Sequence, residues 1–312
     1  MNRQILYLFK KLIGFALVAF LGYAILLYTF GNLLSNRNTP NLLYKTGHNY
    51  LRLQEVKKTT DVDILFLGSS HAYRGFDTRI FKASGYKVFN LGSSSQTPIQ
   101  TEIVLNRYLK QLNPKLVVFE VNPGFFTSDG VESSLDLIAN DYNDLNTFKM
   151  ALEQTNTKVY NTFLYAIGER LFGDTPNLKL ETYHKGGYVS RDSLTYNENH
   201  ISVDSKIEIK DKQLRAFKNI LQRFKNNKID YILVQAPITK QRYQSYTNIA
   251  EFNTQMKIYG DYYDFNSHLK LSDTLDFYDA HHLNQNGVTI FNTAFLELLE
   301  KNYFHKLNDP IK

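Results

Sequence analysis

Two short segments, far apart in the chain, hold the side chains that could do chemistry. Gly68-Ser69-Ser70 follows directly on the apolar run Ile64-Leu65-Phe66-Leu67, and Asp279-Ala280-His281-His282-Leu283-Asn284 lies near the C-terminus. A serine where a strand turns into a helix has an exposed hydroxyl, and the N–H groups of the first helical turn lie beside it to meet an oxyanion. A serine hydroxyl does not attack an ester unaided: it needs a base, and the base needs a partner that orients it. Asp279 and His282, three apart on a loop, suit that need, because the carboxylate can meet one ring nitrogen and leave the other for the serine. Spacing alone leaves both Ser69 and Ser70 open as the nucleophile. Plainer roles exist for both segments, a turn with an N-cap for the first and a polar loop capping the last helix for the second. A metal site built from His71, Asp279, His281 and His282 is a further rival, although no second ligand set such as an HExxH helix accompanies it.

Two more turns complete the candidate set. Asn90-Leu91-Gly92 follows a second apolar segment, where Gly92 could offer a backbone N–H to an oxyanion. Glu120-Val121-Asn122-Pro123 follows a third, where Asn122 could offer its side-chain amide. His71 and Arg74, beside the serines, are candidates for binding an anionic group.

These residues need a scaffold that brings strand ends together. The spacing predicts strands over 62–67, 87–91, 116–121 and 231–235, with a weaker one over 262–265. Pro98 opens a helix that shows Leu105, Tyr108, Leu109 and Leu112 on one face before Asn113-Pro114 stops it. Leu214, Phe217, Leu221 and Phe224 mark another helix, and a last one runs over 286–301. Strand-helix-strand alternation with right-handed crossovers implies an α/β fold, a flavodoxin-like doubly wound parallel sheet whose sites form at the carboxyl ends of its strands. Around 125–205 the pattern gives way to a Tyr/Asn/Asp-rich insert with local helical signals at 147–152 and 159–171 and a Gly186-Gly187 turn. Leaving the third strand on the site side, that insert could form a lid or a glycan groove.

One transmembrane helix is expected ahead of the domain. No charged residue occurs from Leu12 to Asn36, and roughly 20 apolar residues cover the hydrocarbon core of a bilayer. Arg3, Lys10 and Lys11 precede the run, which keeps the short N-terminus cytoplasmic and places the rest outside. Asn32, Ser35, Asn36 and Arg37 mark the exit. The stretch exceeds a signal-peptide core and lacks a small-x-small cleavage site, so it reads as an uncleaved anchor. The organisation is then an anchor at 1–36 with its membrane segment at 12–34, a stalk or linker (or a first helix lying against the domain) at 37–60, and an α/β domain at 61–305. The absence of cysteine among 312 residues excludes disulfides and thiolate zinc sites. Lys and Arg are scattered, with a net charge of +6 and no nucleic-acid motif, so nucleic acid is not an expected partner.

The blocks taken together resemble the SGNH (GDSL-type) hydrolase superfamily, across most of residues 60–300 apart from the insert. The resemblance implies its three-layer sandwich and assigns roles by position. Ser70 takes the nucleophile's place, Gly92 and Asn122 the oxyanion donors' places, and Asp279 and His282 those of the Asp-x-x-His block, followed here as often by Leu and Asn. Ser69 stands where the family usually has Asp, and Glu-Val-Asn-Pro stands where it usually has Gly-x-Asn-Asp.

An N-terminal anchor on such a domain is similar to a subgroup acting on cell envelopes, in teichoic-acid D-alanyl transfer and in alginate and peptidoglycan O-acetylation. That resemblance implies a serine esterase or O-acyltransferase outside the bacterial cytoplasmic membrane, acting on acyl, especially acetyl, esters. Its partners would be an acyl-ester donor, a surface glycan acceptor and a membrane-bound O-acyltransferase. No cofactor and no metal are implied. The rival functions are a non-catalytic accessory to such an acyltransferase and a lipid esterase or thioesterase.

Overall fold

The computed structural model describes residues 3–33, 42–173, 176–191, 196 and 204–308. Among the described residues seven strands form in chain order: β1 (Ile64–Leu67), β2 (Val88–Asn90), β3 (Leu116–Glu120), β4 (Tyr183–His184), β5 (Tyr188–Val189), β6 (Asp230–Gln235) and β7 (Tyr262–Asp264). Five of them make one sheet in the order β2-β1-β3-β6-β7, every neighbouring pair parallel, while β4 and β5 form a separate antiparallel hairpin. The chain steps outward from β1 to β2 and then returns to β3 on the other side. The order therefore reverses at β1 and β3, the place where open α/β sheets bind ligands.

The strands β1, β2 and β3 and most of β6 are buried on both faces, and alternate residues feed two separate cores. Leu65, Leu67, Val117, Phe119 and Leu233 pack into one with the helices Pro98–Leu112 and Asp211–Asn226. Ile64, Phe66, Leu116, Val118, Ile232 and Val234 pack into the other with Phe291, Phe295 and Leu299 of the C-terminal helix Gln285–Asn308. The result is the expected doubly wound α/β sandwich. The helix stripe Leu105, Tyr108, Leu109 and Leu112 is buried as its spacing predicts, and so are Phe217, Leu221 and Phe224.

Ahead of the sheet, Arg3–Leu33 is one continuous helix, long and apolar enough to cross a membrane. Of the two readings open for 37–60, the structure has the packed helix over Gly47–Val56, with Tyr50, Leu53 and Val56 buried in the domain. Residues 34–41 lie outside the described residues, and with them Ser35, Asn36 and Arg37 of the expected exit.

The insert is more regular than its composition suggests. It holds the helices Val131–Asn140, Leu145–Gln154 and Thr157–Phe172, follows the short helix Pro123–Thr127, and carries the β4–β5 hairpin around Gly186 and Gly187. Residues 174–175, 192–195 and 197–203 of the insert lie outside the described residues. Thr127, Ser128 and Ser205 are its described contributions to the cleft above Ser70, while its long helices pack elsewhere.

Candidate active site

The turn after β1 is fixed by steric necessity. Gly68 has φ +137°, and a Cβ there would stand 2.8 Å from the Glu120 Cβ and 2.9 Å from its carbonyl oxygen, so glycine alone lets β1 end this close to β3. The chain then enters the helix Ser70–Gly75 with Ser69 as its N-cap. Ser70 stands at the first helical position, where its N–H has no carbonyl one turn back to bond. The distal loop reaches the same point from the other side. Its position is held by Asn284, which accepts from the N–H groups of Asn286 and Gly287 at the start of the last helix and donates to the Leu275 carbonyl.

The two segments meet in one relay. Ser70 Oγ lies 2.8 Å from His282 Nε2, and His282 Nδ1 lies 2.9 Å from each carboxylate oxygen of Asp279. Asp279 Oδ1 also accepts from the backbone N–H groups of His281 and His282, at 2.8 Å each. Burial opposes ionisation of Asp279, but the His282 hydrogen bond and charge, with those two N–H groups, hold its carboxyl well below the usual range. The carboxylate is therefore charged at any physiological pH. It orients the ring so that Nδ1 carries the proton and Nε2 presents a lone pair to the serine.

Ser69 does not compete for this place. Its Oγ is buried, accepts from Asn122 Nδ2 at 2.9 Å and lies 3.2 Å from His71 Nδ1. Asn122, the cap of Pro123–Thr127, also donates from Nδ2 toward Glu120 Oε2 and His71 Nδ1, both at 3.0 Å. His71 Nδ1 is thus within hydrogen-bond reach of both Ser69 Oγ and the Asn122 amide, while its Nε2 is buried and without a partner. Burial, then the neighbouring His282 and His281, push the His71 pKa well below the usual histidine value and keep the ring neutral. His281 is pushed down to about 4 by burial and by Arg242.

Two expectations change. Gly92 does not present its N–H to the cleft: that N–H donates to Asn90 Oδ1 at 3.0 Å. The glycine is needed for another reason, since a Cβ at 92 would lie 2.8 Å from the Ser69 carbonyl oxygen and 2.9 Å from the Ala72 Cβ. Arg74 is not among the residues lining the cleft with Ser70; its guanidinium lies 4.9 Å from the centre of the Tyr73 ring. His71 does line it. Among the described residues no three His, Asp or Glu side chains form a metal-holding group.

Two cations line the cleft, neither of them singled out by motif or spacing. Arg242, on the short helix after β6, lines it with Lys206, His281 and Tyr246, and no carboxylate side chain does so among the described residues. Hydroxyls hold the guanidinium: Ser205 Oγ at 3.3 Å, Ser245 Oγ at 3.4 Å and Tyr246 Oη at 3.1 Å, with Nε buried and unpartnered. The available signal was its place just past the carboxyl end of a strand. Glu120 was passed over as a functional group for a different reason, that a carboxyl ending an apolar strand reads as a strand boundary. It is fully buried, and burial pushes its pKa up to about 8 against the Asn122 hydrogen bond. The cleft itself has a volume of about 320 Å³.

No family model matches the chain, and no curated protein does. Solved structures do. GDSL-like lipase and acylhydrolase structures are its neighbours. A Bacteroides fragilis protein assigned as an acylhydrolase is similar at 16% identity and a TM-score of 0.43, covering 82% of this chain and 98% of its own. A GDSL-like lipase from Bacteroides thetaiotaomicron is similar at 15% identity and a TM-score of 0.43, covering 81% and 98%. A gut microbial enzyme that metabolizes diltiazem is similar at 14% identity and a TM-score of 0.28, covering 77% and 47%. What the cleft can do is read from its own side chains.

Proposed function

We propose that the chain is a membrane-anchored, extracytoplasmic serine esterase or O-acyltransferase that acts on acyl esters of a cell-surface glycan, acetyl esters above all. The observation that carries the proposal is the unbroken relay from Ser70 Oγ through His282 to Asp279, with contacts of 2.8 and 2.9 Å. In the first half-reaction the Ser70 O–H bond breaks, its proton passes to His282 Nε2, and Oγ bonds to the acyl carbon. His282 then returns the proton to the departing alkoxide as the ester C–O bond breaks. In the second half-reaction a sugar hydroxyl or water gives its proton to His282 and bonds to the acyl carbon, the acyl–Oγ bond breaks, and His282 returns the proton to Ser70 Oγ. The Ser70 N–H and the Asn122 amide are the oxyanion donors in this scheme, and such a donor is typically worth ~3 kcal/mol of barrier.

The lining supports an anionic reactant. A cleft holding Arg242 and Lys206 and no carboxylate side chain among the described residues suits a glycan or donor that carries a carboxylate or phosphate near the acyl group. An apolar helix whose first turns carry Arg3, Lys10 and Lys11 ahead of the uncharged run supports the anchor and its orientation. A membrane-bound O-acyltransferase delivering acyl groups from the cytoplasm is the partner such a location calls for.

The test is covalent labelling with a fluorophosphonate, which reacts with an activated serine. Wild type is expected to label and Ser70→Ala to lose all label. Equal labelling of the two proteins, or none in either, would leave an accessory without catalysis in place of an enzyme.

A further inference from the structure

We infer that the face built by the helices Leu145–Gln154 and Thr157–Phe172 lies in the outer leaflet of the membrane, as a second, non-spanning lipid contact that holds the domain down. This rests on the reading that Arg3–Leu33 crosses the bilayer, and the experiment below separates the two.

Outside the N-terminal helix, ten large apolar side chains are exposed among the described residues, and six of them sit on these two helices. Leu145, Phe148 and Leu152 are 65%, 44% and 52% exposed at a spacing that puts them on one helical face; Ile167, Leu171 and Phe172 are 43%, 68% and 76% exposed. Phe148 meets Phe163 at a ring separation of 5.7 Å, which joins the two sets into one patch. A concentration of this kind is what a lipid or protein contact requires, whereas single exposed apolar residues are ordinary.

What covers the patch follows from its neighbour. Ala24, Leu27, Tyr28 and Gly31 form the one stripe of the N-terminal helix that is at least partly covered, and Thr157–Phe172 packs on it. Tyr28 stacks near Tyr165 and Phe172, at 5.6 and 6.0 Å, and Gly31 and Gly168 make room for the Tyr165 and Tyr28 rings. Tyr23 donates to Asn161 Oδ1 at 2.6 Å, and Tyr44 to the Gly31 carbonyl at 3.0 Å. Lys11 is the last charge before the apolar run. At 1.5 Å per residue Tyr28 lies about 25 Å beyond it and Gly31 about 30 Å, the thickness of a hydrocarbon core. Tyr23 lies about 18 Å beyond Lys11 on the same measure, so the contact with Thr157–Phe172 runs through the outer half of the bilayer to its far boundary, where tyrosine rings concentrate.

Charge agrees. A cavity of about 660 Å³ beside this contact is lined by Lys45, Lys57 and Arg170 together with Ile167 and Leu171. Its acids are Asp141 and Glu169; Asp141 is paired with Arg107 at 2.8 Å and with Lys57 at 3.2 Å, which leaves Lys45 and Arg170 as the cations for a headgroup. Cations above an apolar floor suit an anionic headgroup with its acyl chain below.

The chain contains no tryptophan, so a single introduced one reports alone. The experiment uses the full chain in phosphatidylglycerol vesicles containing phosphatidylcholine brominated on its acyl chains, and compares Phe20→Trp, Leu152→Trp, Phe172→Trp and Leu275→Trp. Leu275 is 68% exposed and far in sequence from the patch, and serves as the water-facing reference. The anchor variant Phe20→Trp is expected to be quenched, and Leu152→Trp and Phe172→Trp at least about twofold more than Leu275→Trp. If Phe20→Trp is quenched and both patch variants behave like Leu275→Trp, lipid is not the occupant, a membrane protein becomes the candidate, and this inference falls. If Phe20→Trp itself is not quenched, the spanning reading fails and takes this one with it.

Discussion

Asparagine at position 279 tests the relay with almost no change of shape. Both backbone donors, from His281 and His282, use Asp279 Oδ1 at 2.8 Å. In Asp279→Asn the amide oxygen keeps those two donors, which places the amide nitrogen where Oδ2 stood, 2.9 Å from His282 Nδ1. That nitrogen donates, and its hydrogens oppose a proton on Nδ1 even though Oδ1 also stands 2.9 Å away, so the ring proton is driven toward Nε2. The ring then points an N–H at Ser70 and cannot take the serine's proton. A wrong-tautomer change of this kind in a Ser-His-Asp triad costs about 10⁴ in kcat, or about 5.5 kcal/mol at roughly 1.4 kcal/mol per decade. Folding should hardly notice, because both loop hydrogen bonds survive. Asp279→Ala loses them and is expected to lower stability by about 1–2 kcal/mol. The assay pairs the second-order rate of fluorophosphonate labelling and p-nitrophenyl acetate hydrolysis with urea unfolding of each variant. Asp279→Asn labelling within tenfold of wild type at unchanged stability would show that Asp279 only ties the loop, and the tautomer argument would be wrong.

Two further outcomes are expected. For Arg242→Gln, the ratio of kcat/KM on an acetate ester carrying a nearby carboxylate to that on a neutral ester should fall by about 10-fold or more, as for loss of a hydrogen bond to a charged group; an unchanged ratio would show that the cleft does not select for charge. For Glu120→Gln, the pH dependence of stability should flatten. The folded carboxyl keeps its proton up to about 8 while an ordinary one loses it near 4.5, so wild-type stability falls as pH rises through that window. Urea unfolding across it should show wild type losing up to a few kcal/mol and Glu120→Gln losing much less; parallel curves would mean that Glu120 titrates normally.

The strands β1, β3 and β6 were legible because each is centred on a short apolar run bounded by turn residues, and the helix at Pro98–Leu112 because its stripe, its opening proline and its stop agree. The helix Val131–Asn140 was not, since two of its buried positions are Ser133 and Ser134, whose hydroxyls bond the side chain of Gln100 at 2.8 and 2.9 Å. A buried polar contact of that kind erases the apolar period. The Asp279–His282 spacing was informative because three residues of loop leave few ways for the two side chains to avoid each other. Gly92 misled for the opposite reason. A glycine at a strand end is compatible with offering an N–H and with making room for a neighbour, and only the positions of Asn90, Ser69 and Ala72 separate the two. Arg242 went unnoticed because its value depends on what surrounds it: one scattered basic residue among 36 becomes distinctive only when no carboxylate faces it.

The removal of Gly92 from the oxyanion donors shifts weight onto Asn122, and the surroundings of Asn122 say what that requires. Its amide has two hydrogens, and Ser69 Oγ, His71 Nδ1 and Glu120 Oε2 all lie in reach, at 2.9, 3.0 and 3.0 Å. To serve an oxyanion it must release one of them. A carboxylate at 120 would hold the amide by a charge-assisted bond roughly twice as strong as a neutral one, and the exchange would be uphill. A neutral carboxyl, which burial enforces up to about pH 8, makes it an exchange between comparable partners until negative charge develops on the substrate oxygen. The new bond then becomes the charge-assisted one, so the gain comes in the transition state and not on binding. On this argument the buried Glu120 is what leaves Asn122 free to turn, and ionising it ties the amide to the protein at the moment the reaction needs it.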